Sequence, residues 1–423
     1  MTTDEGREIA GRLLKNARSP GWEGLRDVLI EDGRIAAVGV GLEGKGASVI
    51  DLRGRVLLPG LVDAHTHLDK AFTQDFCASA EGTLQAAIRE MAKYKKTAGV
   101  EDIYRRAERC LLRFVSHGTT AVRSHVDVDS LVGLRGMEAM VRLRERHRER
   151  VTLQLVPFTP GASLVSGPAE HRALLREAVA MGADAVGGVP ASSGDAESLL
   201  STVFGLAAEF GLPVDLHVDE SDDPEDLTLE RVAEKALAEG YEGRVVAGHC
   251  CSLAAVEDSV ARRVIEKVAR ARIAVVALPI CNLYLQGRGD PPPVRRGVTR
   301  VKDLLEAGVN VFCGSDNVQD PFSPYGRADT MDAAWLTGLS AQLGLDSMPT
   351  LLEMVTLRPA RALGLAGRCG IAQGRAADLL VLASDSTENL VVERPPRLLV
   401  LKEGRIVSAG DGAEGLGAEG PEL

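Results

Sequence analysis

The chain has 423 residues, 45% of them hydrophobic, and a formal net charge of −11 at neutral pH. That length and apolar content support a large buried core, while the acidic balance argues against nucleic acid or an anionic membrane surface as a partner and leaves a small molecule as the expected one. Seven cysteines, an odd number without C-x-x-C spacing, point to a reducing compartment; with a polar N-terminal stretch and no apolar run of membrane-spanning length, a cytoplasmic protein is expected.

Residues 26–55 read as β structure, with hairpin-like segments DVLIEDGRIAAVG and SVIDLRGRVLLP turning at Asp32-Gly33 and Arg53-Gly54. Short β-rich runs then alternate with helical stretches. Strands are expected at 56–67 (VLLPGLVDAHTH), 119–128, 151–158, 184–190 (DAVGGVP), 212–220, 244–251, 273–282 (IAVVALPICN) and 309–317. Between them SLLSTVFGLAAEFG and residues 298–308 place apolar residues at helical spacing with glycine near the C-terminal end. Eight strand-helix units over about 300 residues predict an α/β fold, a (β/α)8 TIM barrel. Toward the C-terminus DLLVLASD and LLVLKEGRIVSAG return to the β style of the start. Residues 1–58 and 368–423 are therefore expected to join in a small β-sandwich into which the barrel, residues 59–367, is inserted. The Gly/Glu-rich tail after Gly410 is expected to be a frayed end.

In such a barrel the chemistry lies at the C-terminal ends of the strands, so polar residues that close apolar strands are the candidates. Strand one ends in His65 and His67, strand two in His125 and Asp127, strand five in His217, Asp219 and Glu220, strand six in His249, and strand eight in Asp316 and Asn317. An isolated H-x-H more often closes a strand than binds a metal. Here five of the eight histidines fall at strand ends. Side chains two apart share a strand face, so His65 and His67 can both face the mouth, and His217 with Asp316 completes a set of ligands for one divalent metal.

This constellation resembles the amidohydrolase superfamily, in which the first strand carries H-x-H, the fifth and sixth a histidine each, and the eighth an aspartate. The second half narrows the likeness to the cytosine deaminase branch through Leu285-Gln286-Gly287-Arg288, residues 295–302 (RRGVTRVK), residues 314–321 (GSDNVQDP) and the H-x-x-E of His217-Val218-Asp219-Glu220. His125-Val126-Asp127-Val128-Asp129 is also similar to relatives acting on s-triazines. The resemblance implies a metal-dependent hydrolytic deaminase, in which hydroxide on the metal attacks the amino-bearing carbon of a nitrogen heterocycle and ammonia or an amine departs. Relatives with two metals bridge them with a carboxylated lysine on strand four, and DAVGGVP contains none. One metal is expected, zinc or iron, held by His65, His67, His217 and Asp316. The branch often forms homo-oligomers.

The resemblance also distributes roles. Glu220 is the expected proton donor to the ring. Strand alternation from His217 favours Asp219 instead, but the Ser-Asp-Asp-Pro-Glu-Asp run at 221–226 ends the strand and frees Glu220 to turn inward. His249 is expected to hydrogen-bond the attacking oxygen, and Asp316 to bind metal and carry a proton to the leaving amine. Phe322 matches the place of an aromatic against the heterocycle, with a loop anchor as the alternative. Lys70 meets either an anionic substrate group or a carboxylate such as Asp69, and Gln286 and Arg288 organise a loop at the mouth. Two departures bear on the substrate. In Phe158-Thr159-Pro160-Gly161 the proline stands where the branch has a base-reading glutamine, and Asn317 stands where it has a second aspartate. A changed hydrogen-bond pattern implies a different ring with the same chemistry. Hydrolysis of a cyclic or N-substituted amide is the second enzymatic reading, and a non-catalytic scaffold the third.

Overall fold

The structure, a computed structural model, describes residues 11–160, 168–190 and 196–419. Five strands open the chain: β1 (Arg12–Ala17), β2 (Arg26–Glu31), β3 (Arg34–Gly39), β4 (Ser48–Asp51) and β5 (Val56–Pro59). Then come β6 (Leu61–Thr66), β7 (Thr119–Asp127), β8 (Thr152–Pro160), β9 (Val186–Val189), β10 (Val214–Val218), β11 (Val245–His249), β12 (Ala274–Ala277) and β13 (Val311–Cys313). Four more close it: β14 (Leu379–Leu382), β15 (Arg397–Lys402), β16 (Arg405–Ala409) and β17 (Gly417–Glu419).

Strands β6 to β13 form one eight-stranded sheet in chain order, each paired in parallel with the next. A parallel bridge between Thr66 and Asp316 joins its first and last members, so the sheet closes into the expected barrel. Helices cover the outside, which is why β6, β10 and β11 are buried at every position instead of alternating. The amphipathic helix Asp258–Arg270 shows how: Ala261, Val264, Ile265 and Val268 face the sheet at helical spacing. Among the described residues no helix is long and apolar enough to cross a membrane.

The flanking strands form a five-stranded sheet, β17-β4-β1-β2-β3, and a four-stranded one, β16-β15-β14-β5. Leu14 and Val28 of the first share a buried cluster with Leu57, Leu379, Val381 and Leu399 of the second. Three details differ from expectation. The run 56–67 is two strands, because Gly60 hands the chain from one sheet to the other: Gly60 N–H donates to Asp378 O, and Leu61 N–H to Gly118 O. The Arg53-Gly54 turn likewise joins strands of different sheets, whereas Asp32-Gly33 closes a true hairpin between β2 and β3. Among the described residues the tail after Gly410 is not frayed. Residues 417–419 pair with β4, anchored by the buried Ala413 and Leu416 just before them.

A fourth difference shapes the barrel mouth. The run 273–282 holds strand only to Ala277, and Pro279 opens the helix Pro279–Leu285, a position where its missing N–H costs nothing. Cys281 and Asn282 thereby enter the mouth from a helix.

The transfer at Gly60 is tight, since a Cβ there would lie 2.3 Å from Thr120 Oγ1 and 2.8 Å from Thr120 Cβ. Gly60→Ala is expected to destabilise the protein by about 1–3 kcal/mol in denaturant unfolding, and adding Thr120→Ala should recover only part of the loss because its Cβ remains.

Candidate active site

The site is built on the seam that closes the barrel. Asp316 adopts a left-handed backbone conformation at φ 56°. Its N–H donates to His65 O at 2.8 Å, and its carbonyl accepts from Thr66 Oγ1 at 2.7 Å and His67 N–H at 3.3 Å. Beneath, the buried Asp63 carboxylate accepts from Ser315 N–H at 3.1 Å, Ser315 Oγ at 2.6 Å and Thr330 Oγ1 at 3.1 Å. The two segments that carry H-x-H and Asp316 are thus locked to each other before any ligand binds.

Four side chains converge there. His67 Nε2 lies 3.1 Å from His217 Nε2 and 3.3 Å from Asp316 Oδ1, and His65 Nε2 lies 3.7 Å from the same oxygen. All are buried. Both nitrogens of His65, Nδ1 of His67 and His217, and both oxygens of Asp316 have no hydrogen-bond partner. Buried polar atoms are rarely left unpaired, and a divalent cation accounts for this cluster at once. Burial, reinforced by neighbouring positive groups, holds the three imidazoles well below their usual pKa, in the neutral form that binds metal. The residues present therefore fit such an ion.

His125 is a further imidazole within reach of His65 and His217. Its Nε2 is engaged by Asp215 Oδ1 at 3.1 Å, and its ring lies against that of His65, with centroids 4.0 Å apart. Asp215 also takes Arg123 Nη1 at 2.8 Å, and Gln154 Oε1 accepts from the same guanidinium. These buried groups form a polar layer beneath the histidines, and His125 belongs to it.

The chain after β10 separates two carboxylates. Asp219, at φ 52°, accepts from Thr228 N–H, Thr228 Oγ1 and Leu229 N–H and so starts the helix Leu229–Ala238. Glu220 turns into the cleft instead, with Oε1 3.7 Å from His249 Nδ1, while its carbonyl accepts from Gln286 Nε2. Burial, and then the charge of Asp316, push the Glu220 carboxyl well above the usual range. Asn282 Nδ2 lies 3.0 Å from His249 Nδ1, within hydrogen-bond distance. The other ring nitrogen, His249 Nε2, has no partner.

These groups open into a cleft of about 780 Å³ that also includes Lys70, Phe158, Asn317 and Phe322. Asn317 Nδ2 donates to Asp320 Oδ2 at 2.6 Å, and Asp320 Oδ1 also accepts from Phe322 N–H and Ser323 N–H. Lys70 pairs with Asp127 at 3.3 Å and not with Asp69, whose carboxylate accepts from Asp127 N–H instead. Its ammonium stands 5.1 Å from the Phe158 ring and 5.2 Å from that of Phe322. Arg288 Nε donates to Tyr284 O. Pro160 lines the cleft at the end of β8; Gly161 lies outside the described residues. Sequence reasoning missed Asn282, because a strand was expected through it; Pro279 was the available signal of a helix start.

A TIM barrel with a histidine- and aspartate-rich centre at its C-terminal mouth, flanked by β-sheets from both chain ends, defines a metal-type hydrolase scaffold. The sequence matches the amidohydrolase family over residues 48–103 and 79–408, and the chain belongs to that family. It is 33% identical over 396 residues to a pterin deaminase of Rhizobium rhizogenes, covering 92% of this chain and 89% of that one. It is 32% identical to an N-isopropylammelide isopropyl amidohydrolase of Pseudomonas sp., covering 93% and 96%. Among solved structures, 5-methylcytosine deaminase from Klebsiella pneumoniae liganded with 5-fluorocytosine superposes with a TM-score of 0.88 at 30% identity, covering 94% of this chain and 98% of that one. The protein is an enzyme, a hydrolase of carbon–nitrogen bonds other than peptide bonds.

The layer beneath the histidines generates a stability test. Asp215→Ala leaves a buried guanidinium without its carboxylate and is expected to cost about 3–5 kcal/mol in denaturant unfolding, with Asp215→Asn costing less.

Proposed function

We propose that the enzyme deaminates an amino-substituted nitrogen heterocycle, giving the oxo ring and ammonia or an amine. One observation carries the reading: Glu220, whose carboxyl burial pushes well above the usual range, faces the cleft beside His249 and the four-residue cluster. His65, His67, His217 and Asp316 would hold one divalent cation, zinc or iron; when bound, such an ion supplies Lewis acidity and brings the pKa of water toward about 7. No lysine stands in β9, in keeping with a single ion.

Glu220 delivers its proton to the ring nitrogen next to the attacked carbon, which lets that carbon accept the nucleophile. His249 presents Nε2–H to the oxygen that gains charge as the tetrahedral centre forms. Asp316 takes the proton shed by the nucleophile and passes it to the departing amine. Asn317, its amide plane fixed by Asp320, offers the ring a donor and an acceptor, and Phe322 covers a face of it. Lys70 meets a carbonyl or anionic oxygen on the ring. Pterin, triazine and cytosine rings, the substrates in the names of the relatives above, are the chemical neighbourhood to search. All seven cysteines are free, which fits a cytoplasmic enzyme.

Metal-loaded protein is expected to release ammonia or amine from at least one member of a panel of aminopterins, aminopyrimidines and amino-s-triazines. Glu220→Gln should lower kcat by about 10²- to 10⁴-fold with metal content unchanged, whereas His217→Ala should lose the metal. A ring-opened acid as product, or no release from any ring by protein holding one equivalent of metal, overturns the reading. Lys70→Met should raise KM for oxo-bearing rings by about 10- to 100-fold, the scale of one charged hydrogen bond.

A further inference from the structure

Cys281 lies in the first turn of the helix Pro279–Leu285 and is fully buried. Its Sγ is 3.6 Å from Asn317 Oδ1 and 3.5 Å from Phe322 O. Glu220, Cys281 and Asp316 each bring a ligand atom within 4.8 Å of the other two. Among the described residues this is the one such group that contains sulfur. Asp316 is buried, and the Cys281 thiol interacts with its carboxylate, so a metal ion would take the place of that thiol proton. Glu220 lines the open cleft and gives an ion a way in.

We propose that Glu220, Cys281 and Asp316 form a second cation site, selective for thiophilic divalent ions, whose occupation inhibits the enzyme. The inference rests on the four-ligand reading above, since Asp316 would be shared between the two ions. One thiolate and two carboxylates suit zinc or cadmium, with water from the cleft completing the coordination. Magnesium and calcium demand more oxygen ligands and gain nothing from sulfur. Binding releases the Cys281 thiol proton and any proton on Glu220. The residue that would protonate the ring becomes a ligand, and catalysis stops.

The test uses full-length protein loaded with one equivalent of zinc and titrated with cadmium chloride. The expected result is a total of two bound ions per chain by elemental analysis after dialysis, a cadmium–thiolate charge-transfer band in the ultraviolet, and loss of amine release in step with that band. Magnesium should produce none of these. Cys281→Ala and Cys281→Ser should keep the first ion, lose the band and weaken the second ion by at least about tenfold. The proposal is overturned if total metal stays at one, as when cadmium displaces zinc, or if the band persists in both variants. Protein that binds no ion at all refutes the four-ligand reading as well; protein that holds one and refuses a second refutes only this site.

Discussion

A short parallel bridge between Thr66 and Asp316 does two things at once, and the site depends on it. A barrel needs its last strand to meet its first, but β13 ends at Cys313, well before the mouth. The seam is continued above it by Asp316, whose N–H and carbonyl both bond the His65–His67 segment. Closing the fold therefore also sets the distance between the H-x-H imidazoles and the Asp316 carboxylate. The left-handed backbone at Asp316 is the conformation this demands, of the sparsely populated kind that persists only where surrounding structure enforces it. The three bonds that Asp63 accepts from Ser315 and Thr330 supply that enforcement.

Buried charge is organised around that seam by pairing. Burial alone would raise Asp127, but Lys70 and Lys95 outweigh it and hold its carboxyl at about 2. Lys95 also reaches Asp129, at 2.8 Å. Lys70 thus shares its carboxylate with a second lysine and keeps a positive character toward the cleft, between two aromatic rings. At Glu220 burial and the charge of Asp316 outweigh the pull of Lys70, and its carboxyl is pushed well above the usual range. Two acidic groups on one cleft are thus pushed in opposite directions by their neighbours, an arrangement suited to proton-transfer chemistry.

Legibility in the sequence followed the range of the interactions involved. Period-2 and continuous apolar runs depend on nearby residues only, so the eight barrel strands and the flanking β segments were readable, as were the polar residues closing each strand. Alternation voted for Asp219 over Glu220, and a left-handed residue broke the alternation: at φ 52° Asp219 turns away to start a helix and Glu220 takes the inward place. Gly60 was invisible for a related reason, because a strand that changes sheets looks continuous until Thr120 occupies the place of its side chain. The partner of Lys70 and the link from Asn282 to His249 join residues 57 and 33 apart in sequence. No local pattern encodes such pairs; only the closed barrel brings them together.

The same division separates chemistry from substrate choice. The histidines and carboxylates proposed for the reaction stand at strand ends or just beyond them. The groups that would read the ring stand on connecting segments, and they are coupled through Asp320. One of its oxygens orients the Asn317 amide, while the other fixes the backbone of Phe322 and Ser323. A single carboxylate would therefore set both the hydrogen-bond pattern offered to a bound ring and the aromatic proposed to cover it. Substitution at these few positions changes which heterocycle fits without touching the strand ends. With Pro160 unable to offer a side-chain amide, Asn317 and Lys70 are the polar groups that would read the ring under the proposed function. Under that proposal a ring that presents oxygen there, and not only ring nitrogens, would satisfy both.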